Sequence, residues 1–351
     1  MTFLYTGAYT EGDEGRATGI GVHHFDPETG TIDDFQYAGN IVNPSFLALA
    51  PDGRTLYAVA ESPGAGSVVA YARDPELGTV SELNRQSSEG MGPCHLSIDH
   101  SGRFVLAANY GSGSIAALPI QPDGSVGPAS GAVQQEGSSV NPQRQAGPHA
   151  HMIASSPEGR YVYATDLGAD RVFCYELDDA GALVPVPGGG ATATPGAGPR
   201  HFAFSPDGDT MYVLNELGNT LTRFAYDPAS GSLDSLQELS SLPDGYDAVT
   251  HCAHVVVSPD GRFVYGSNRG HDSVATWRVE GDGSLAFVDW IPAGGRNPRN
   301  FALSADGGWL LVANMGSDNV VAYRRDPDTG LVSGDPVVTA LPSACCLVFV
   351  E

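Results

Sequence analysis

Apolar residues in this chain fall in short runs, cut at regular intervals by Pro, Asp and Gly. The stretch FLALAPDGRTLYAVAE at 46–61 shows the unit: an apolar run, a Pro-Asp-Gly-Arg turn, a second apolar run, then a polar residue. Runs this short, rich in β-branched and aromatic residues and bounded by turn formers, predict strands rather than helices. The phrase returns as HLSIDHSGRFVLAANY (95–110), HMIASSPEGRYVYATDL (151–167), HFAFSPDGDTMYVLNE (201–216), HVVVSPDGRFVYGSNR (254–269) and NFALSADGGWLLVANM (300–315). A third run follows each phrase, as in VVAYARD, RVFCYEL or SVATWRV, and a short fourth lies beyond another turn.

The turn glycines Gly53, Gly102, Gly159, Gly208, Gly261 and Gly307 recur about every 51 residues, so 351 residues hold about seven units. Four short strands repeated seven times predict an all-β fold: a seven-bladed β-propeller with four-stranded antiparallel blades, forming a single domain over 1–351. The seventh unit is split. PSACCLVFVE reads as its first strand, and TFLYTGAYT with GIGVHHFDPETGTIDDF supplies the others. The last blade is then closed by the N- and C-terminal strands, which removes an exposed sheet edge. The longest insertion, near 125–148, is rich in Gly, Ser and Gln and separates the second and third repeats.

Composition agrees with this reading, since Gly 45 and Pro 25 together make about a fifth of the chain. Charge adds something new. Asp and Glu number 41 against 17 basic residues, every one of them Arg, for a net charge of -24. That balance argues against nucleic acid or an anionic membrane as partner. It predicts an acidic, solvated shell of the halophilic kind. MTFLYTGAYT carries no basic flank or cleavage site, and no apolar stretch reaches the length of a membrane span, so a cytoplasmic protein is expected. The five cysteines (94, 174, 252, 345 and 346) are odd in number, form no C-x-x-C and sit in apolar runs, which predicts buried free thiols.

Counting from the turn glycines places the polar residues. In a propeller blade the entry to the first strand and the exit of the second emerge on one face. Eight residues before the glycines stand Ser45, Cys94, His151, Arg200, Ala253 and Arg299; one later stand Phe46, His95, Met152, His201, His254 and Asn300. Seven after them stand Ala60, Asn109, Asp166, Asn215, Asn268 and Asn314; eight after stand Glu61, Tyr110, Leu167, Glu216, Arg269 and Met315. His149, His251 and His271 lie beside these rings. The Asn and Asp ring reads first as turn formers bonding their own backbone, with an ion-ligand ring as the alternative. Arg54, Arg103, Arg160 and Arg262 directly follow turn glycines and belong to the opposite face as solvated turn residues.

Nothing in strand or turn chemistry asks for His151, Arg200, Glu216, Arg269 and Arg299 at one channel mouth. Charges crowded there cost desolvation energy unless they pair or meet a ligand. Arginine forks bind carboxylate or phosphate, and a guanidinium can stabilise the oxyanion formed when water adds to a lactone carbonyl. His151 or Glu216 could serve as the general base. No G-x-S-x-G is present to suggest an acyl-enzyme. No cofactor and no metal are expected.

The motifs GPHAH (147–151), GPRHF (198–202), NEL (215–217), SNRGHDS (267–273) and NPRNF (297–301) resemble the seven-bladed lactonase family, across the whole chain. That family includes propeller-type 6-phosphogluconolactonases and the carboxy-cis,cis-muconate cyclizing enzyme. The resemblance implies catalytic roles for His151 (or His149), Arg200, Glu216 and Arg269, and hydrolysis of 6-phospho-D-glucono-1,5-lactone to 6-phosphogluconate. His149, His201, His254, His271, Arg299, Asn300, Asn215 and Asn268 are the expected substrate-binding set. Without lysine, phosphate would be held by arginine, with Arg299 and Arg296 as candidates. Lactonization of a carboxymuconate and a non-catalytic binding scaffold are the competing readings. The expected partner is a small anionic lactone, and the expected assembly a monomer or weak homo-oligomer.

Overall fold

The computed structural model describes residues 2–350. Among the described residues there are 29 strands and one short 3-10 turn at Met315–Ser317, and no α-helix. No helix is long and apolar enough to cross a membrane. The strands form seven antiparallel sheets that follow chain order, the all-β, seven-bladed β-propeller pattern expected from the repeat.

The strands pack as two compact units, Asn40–Arg200 with Ala225–Asp234, and Met1–Gly39 with His201–Phe224 and Ser235–Glu351. The first holds three whole sheets. These are Leu47–Leu49, Thr55–Ala60, Ser67–Arg73 and Val80–Ser87; Pro93–Ile98, Phe104–Asn109, Ser114–Pro119 and Gly131–Gln134; and Ala150–Ser155, Tyr161–Asp166, Arg171–Leu177 and Leu183–Pro185, with Ala191–Thr192 added on the third strand. The second unit also holds three whole sheets. These are Ala344–Val350, Thr2–Ala8, Ile20–Phe25 and Ile32–Ala38; His251–Val257, Phe263–Arg269, Ser273–Val279 and Leu285–Pro292; and Pro298–Leu303, Trp309–Asn314, Asn319–Arg325 and Val332–Ala340. The sheet Pro199–Phe204, Thr210–Asn215, Thr220–Tyr226 and Leu233–Ser240 has residues in both.

Burial explains the hydrophobic pattern. Second strands such as Thr55–Ala60, Phe104–Asn109, Tyr161–Asp166 and Trp309–Asn314 are buried at every position, because sheets cover both their faces. Fourth strands such as Val80–Ser87 alternate, with one face in solvent. Within the first unit, Tyr57, Val59, Val68 and Ala70 pack on Leu96, Val105 and Ala107 of the next sheet. Within the second, Phe263 and Tyr265 pack on Phe301, Leu310 and Val312. Each buried Val, Leu or Phe among them contributes about 1.5–3 kcal/mol.

Pairing register fixes which residues share an edge. Pro93 pairs with Asn109, and Ser114 with both Asn109 and Gln134. The start of the first strand, end of the second, start of the third and end of the fourth therefore lie together. The turn glycines stand at the other edge, with φ between 69 and 81°, a region open to glycine without steric cost. Arg54, Arg103, Arg160 and Arg262 are exposed there, and Arg103 pairs with Asp179 and Arg262 with Asp260.

The closing sheet forms as the split repeat predicts. Phe3 pairs with Val350 and Gly7 with Cys346, while Leu4 faces His23 on its other side. All five cysteines are buried free thiols. The asparagines behave differently from turn formers. Asn109 Nδ2 donates to Ser88 O at 2.8 Å, Asn314 Nδ2 to Ala293 O at 2.8 Å and Asn268 Nδ2 to Ser241 O at 3.0 Å. These three tie second strands to segments 21 to 27 residues earlier. Asn109 and Asn268 also donate to the hydroxyls of Ser114 and Ser273 across their turns, while Asp166 caps its turn through the backbone, accepting from Ala169 N at 2.8 Å.

Candidate active site

In the unit built on Asn40–Arg200, the edge opposite the turn glycines gathers Cys94, Tyr110, His149 and His151. Cys94 is the second residue of the strand Pro93–Ile98 and His151 of the strand Ala150–Ser155, each at the position where the pairing register shifts. His151 is 4% exposed, and its Nδ1 lies 3.6 Å from Cys94 Sγ. The same sulfur reaches His151 O at 3.4 Å and Ala150 O at 3.8 Å. These carbonyls can take the S–H, which leaves a sulfur lone pair facing Nδ1. A proton on Nδ1 would then leave Nε2 as the basic nitrogen.

Tyr110 joins the two histidines. Its ring stacks on His149 with centroids 4.6 Å apart and meets His151 edge-on at 5.4 Å. His149 Nδ1 lies 2.9 Å from Tyr110 O, and its backbone N–H donates to Asp166 Oδ1 at 2.8 Å. Burial raises the Asp166 carboxyl above its ordinary range, against the bonds from His149 and Ala169. Arg200 is 2% exposed, and its carbonyl accepts from Thr165 Oγ1 at 2.6 Å.

The other unit holds the second cluster. Arg269 Nη2 lies 2.8 Å from Glu216 Oε2 and donates to Cys252 O at 2.9 Å. Glu216 is 4% exposed. Burial lowers the Arg269 pKa, Glu216 opposes that, and nearby Arg299 reinforces it; an arginine nonetheless stays charged. Arg299 Nη2 donates to Tyr9 Oη at 3.0 Å, and its guanidinium lies 5.5 Å from that ring. His201 and His254 meet Nδ1 to Nδ1 at 2.8 Å, so one carries the shared proton and the other accepts it.

The remaining predicted residues are placed less openly. Asn215 and Asn268 are fully buried; Asn215 Nδ2 donates to Thr220 and Thr222, and Asn268 Oδ1 accepts from Ser241. Asn300 Oδ1 accepts from Leu347 N at 3.1 Å, tying its strand to the C-terminal one. His271 sits beside Ser273, Tyr246 and Trp290, and burial lowers its pKa. Arg296 is exposed and donates to Gly316 O at 2.8 Å. His95, in the strand below Cys94, packs on Phe46 with centroids 4.2 Å apart and accepts from Ile153 N at 3.4 Å, a core histidine.

Four residues beyond the predicted set stand at the same edges. Ser45 donates a short hydrogen bond to Glu61, and these two occupy the repeat positions of Arg200 and Glu216. Cys94 and Tyr110 occupy the same two positions one repeat later. Register alone marked all four; residue type hid Ser45, Cys94 and Tyr110, because a serine, a thiol or a tyrosine is ordinary in a strand.

A family model described as "Lactonase, 7-bladed beta-propeller" matches residues 3–349. A 6-phosphogluconolactonase of Bacillus subtilis is 35% identical over 99% of this chain and 98% of its own length. A 6-phosphogluconolactonase of Formosa agariphila is 33% identical over 93% of each chain. A solved structure of the periplasmic gluconolactonase of Pseudomonas aeruginosa is 34% identical, covering 100% of this chain and 99% of that one, with a TM-score of 0.94. The chain belongs to the seven-bladed β-propeller lactonase family.

Proposed function

We propose that this protein hydrolyses a sugar lactone, 6-phospho-D-glucono-1,5-lactone in particular, to the open acid 6-phosphogluconate, within a single domain and without a cofactor. The observation that carries this reading is the pair of buried Glu216 with part-buried Arg269, at 2.8 Å, standing at the repeat register where the family motifs fall. The two 6-phosphogluconolactonase relatives and the gluconolactonase structure support the substrate class.

The residues divide the reaction as follows. His151, with Nδ1 facing the Cys94 sulfur, takes a proton from water at Nε2. The hydroxide equivalent adds to the lactone carbonyl, and the negative charge on oxygen is met by the guanidinium of Arg200. Glu216, held by Arg269, orients the ring hydroxyls and the attacking water. The intermediate collapses, the ring C–O bond breaks, and the protonated imidazole returns its proton to the leaving oxygen. Arg299, fixed by Tyr9, contributes to substrate binding, with His149, His201, His254, His271, Asn215, Asn268 and Asn300 shaping the surroundings. Free buried thiols support a reducing, cytoplasmic setting.

The test is acid release in a pH-stat from freshly made 6-phosphogluconolactone, corrected for spontaneous opening. The wild-type protein is expected to accelerate it, and His151→Gln, Arg200→Ala and Glu216→Gln to lose that acceleration. Full activity in all three variants would overturn the site, and no acceleration by the wild type would overturn the substrate.

A further inference from the structure

The chain between Gln134 and Ala150 leaves its sheet on the His151 side, since Gln134 pairs with Ser114 at that edge. It would be expected to be mobile from its Gly, Ser and Gln content, yet it is pinned. Gln145 is fully buried, and its carboxamide donates to Leu167 O at 2.9 Å and Asp170 Oδ1 at 2.7 Å while accepting from Asn141 N at 3.1 Å. Asn141 Oδ1 accepts the backbone N–H of both Gln143 and Arg144 at 3.1 Å. The backbone on both sides of Arg144 is thus fixed before any ligand arrives.

That scaffold delivers a half-buried guanidinium. Arg144 Nη2 donates to Tyr110 Oη at 3.1 Å, the outer end of the ring that stacks on His149 and meets His151 edge-on. Of the other arginines of this unit, Arg54, Arg103 and Arg160 stand at the opposite edge, Arg73 donates to Gly53 O there, and Arg85 pairs with Glu82 on an outer strand. Arg171 starts a third strand at the His151 edge with its guanidinium 4.7 Å from the Phe173 ring, and Arg200 is the buried arginine assigned above to the carbonyl. In a chain of net charge -24, an anion is repelled at long range and needs a local cation to be held.

We propose that Arg144, fixed by the 138–145 segment and the Tyr110 hydroxyl, is a specificity-determining residue that recognises the phosphate of the lactone, so that the inserted segment selects phosphorylated over neutral substrate. This rests on the lactonase reading above. Arg144 binds the non-reacting end of the substrate through charge-assisted hydrogen bonds, and Tyr110 sets the distance between that end and His151. A fork held in place before binding loses little freedom when the phosphate arrives.

The experiment compares kcat/KM for 6-phospho-D-glucono-1,5-lactone and for unphosphorylated D-glucono-1,5-lactone in the full-length protein. The ratio of the two is expected to fall about 30-fold in Arg144→Ala, mainly through KM. In Tyr110→Phe, which removes only the anchoring hydroxyl, it should fall less, and Arg144→Lys should restore part of it. An unchanged ratio, or equal losses on both lactones, overturns the inference and leaves the lactonase reading standing. If the wild type opens neither lactone, that reading fails, and the inference is decided by calorimetry. Arg144→Ala should then weaken 6-phosphogluconate binding at least tenfold more than gluconate binding, and equal effects on the two overturn it.

Discussion

Glu216 and Arg269 form a 2.8 Å ion pair in which the arginine also holds the carbonyl of Cys252. The carboxylate is thereby fixed by a side chain that the backbone itself orients. Glu216→Gln keeps the shape but leaves a buried guanidinium without its counter-charge. The expected outcome is a kcat reduced about 100-fold or more, with stability lowered by about 1.5–3 kcal/mol. Steady-state rates and a denaturant melt measure the two effects. A variant with nearly wild-type kcat would show that the pair is structural.

The contact between Cys94 and His151 gives a separate test. If the thiol fixes the imidazole tautomer, Cys94→Ser keeps an acceptor beside Nδ1 and Cys94→Ala removes it. The alanine variant is expected to lose about tenfold in kcat and to shift the acid limb of its pH–rate profile, while serine retains most of both. Identical profiles for the two variants would remove any orienting role from the sulfur.

Asp166 is the one acid among asparagines at its repeat position, and its Oδ2 is buried without a hydrogen-bond partner among the described residues. Burial raises its folded pKa above the unfolded value. Its contribution is therefore fully present below the unfolded pKa and lost as pH rises through the folded one. Asp166→Asn copies the neighbouring repeats and removes that loss. The variant should melt a few degrees above wild type at pH 8 and show a smaller advantage at pH 4. A constant difference across that range would contradict the assignment.

Screening should matter for the whole molecule. With 41 acids against 17 arginines, self-repulsion opposes compaction, and salt shortens its range from about 10 Å at 0.1 M to about 3 Å at 1 M. The melting temperature is expected to climb by several degrees between those concentrations, with the rate of lactone opening rising alongside. A rate that falls monotonically as sodium chloride is added counts against a protein suited to high salt.

The strand count, the sheet order and the terminal pairing were readable because a turn glycine with positive φ recurs on a fixed spacing and because burial on two faces writes continuous apolar runs such as Thr55–Ala60. Register also marked His151, Arg200, Glu216 and Arg269. What register could not supply was partner choice. Besides bonding hydroxyls five residues on, Asn109 and Asn268 reach back to Ser88 and Ser241, and Asn314 to Ala293, a long-range geometry with no local signature. Arg144 was hidden for a related reason: polar, glycine-rich composition resembles a flexible insertion until Gln145 is seen buried.

The pairing of Thr2–Ala8 with Ala344–Val350 has a consequence for how the protein is made. The strand at residues 2–8 meets its partner only after more than three hundred further residues have been synthesised. Through that interval one edge of the hairpin formed by residues 2–8 and 20–25 stays open. Closure of this sheet is therefore tied to the synthesis of residues 344–350, and a nascent chain that has not reached residue 344 carries an unfilled strand position.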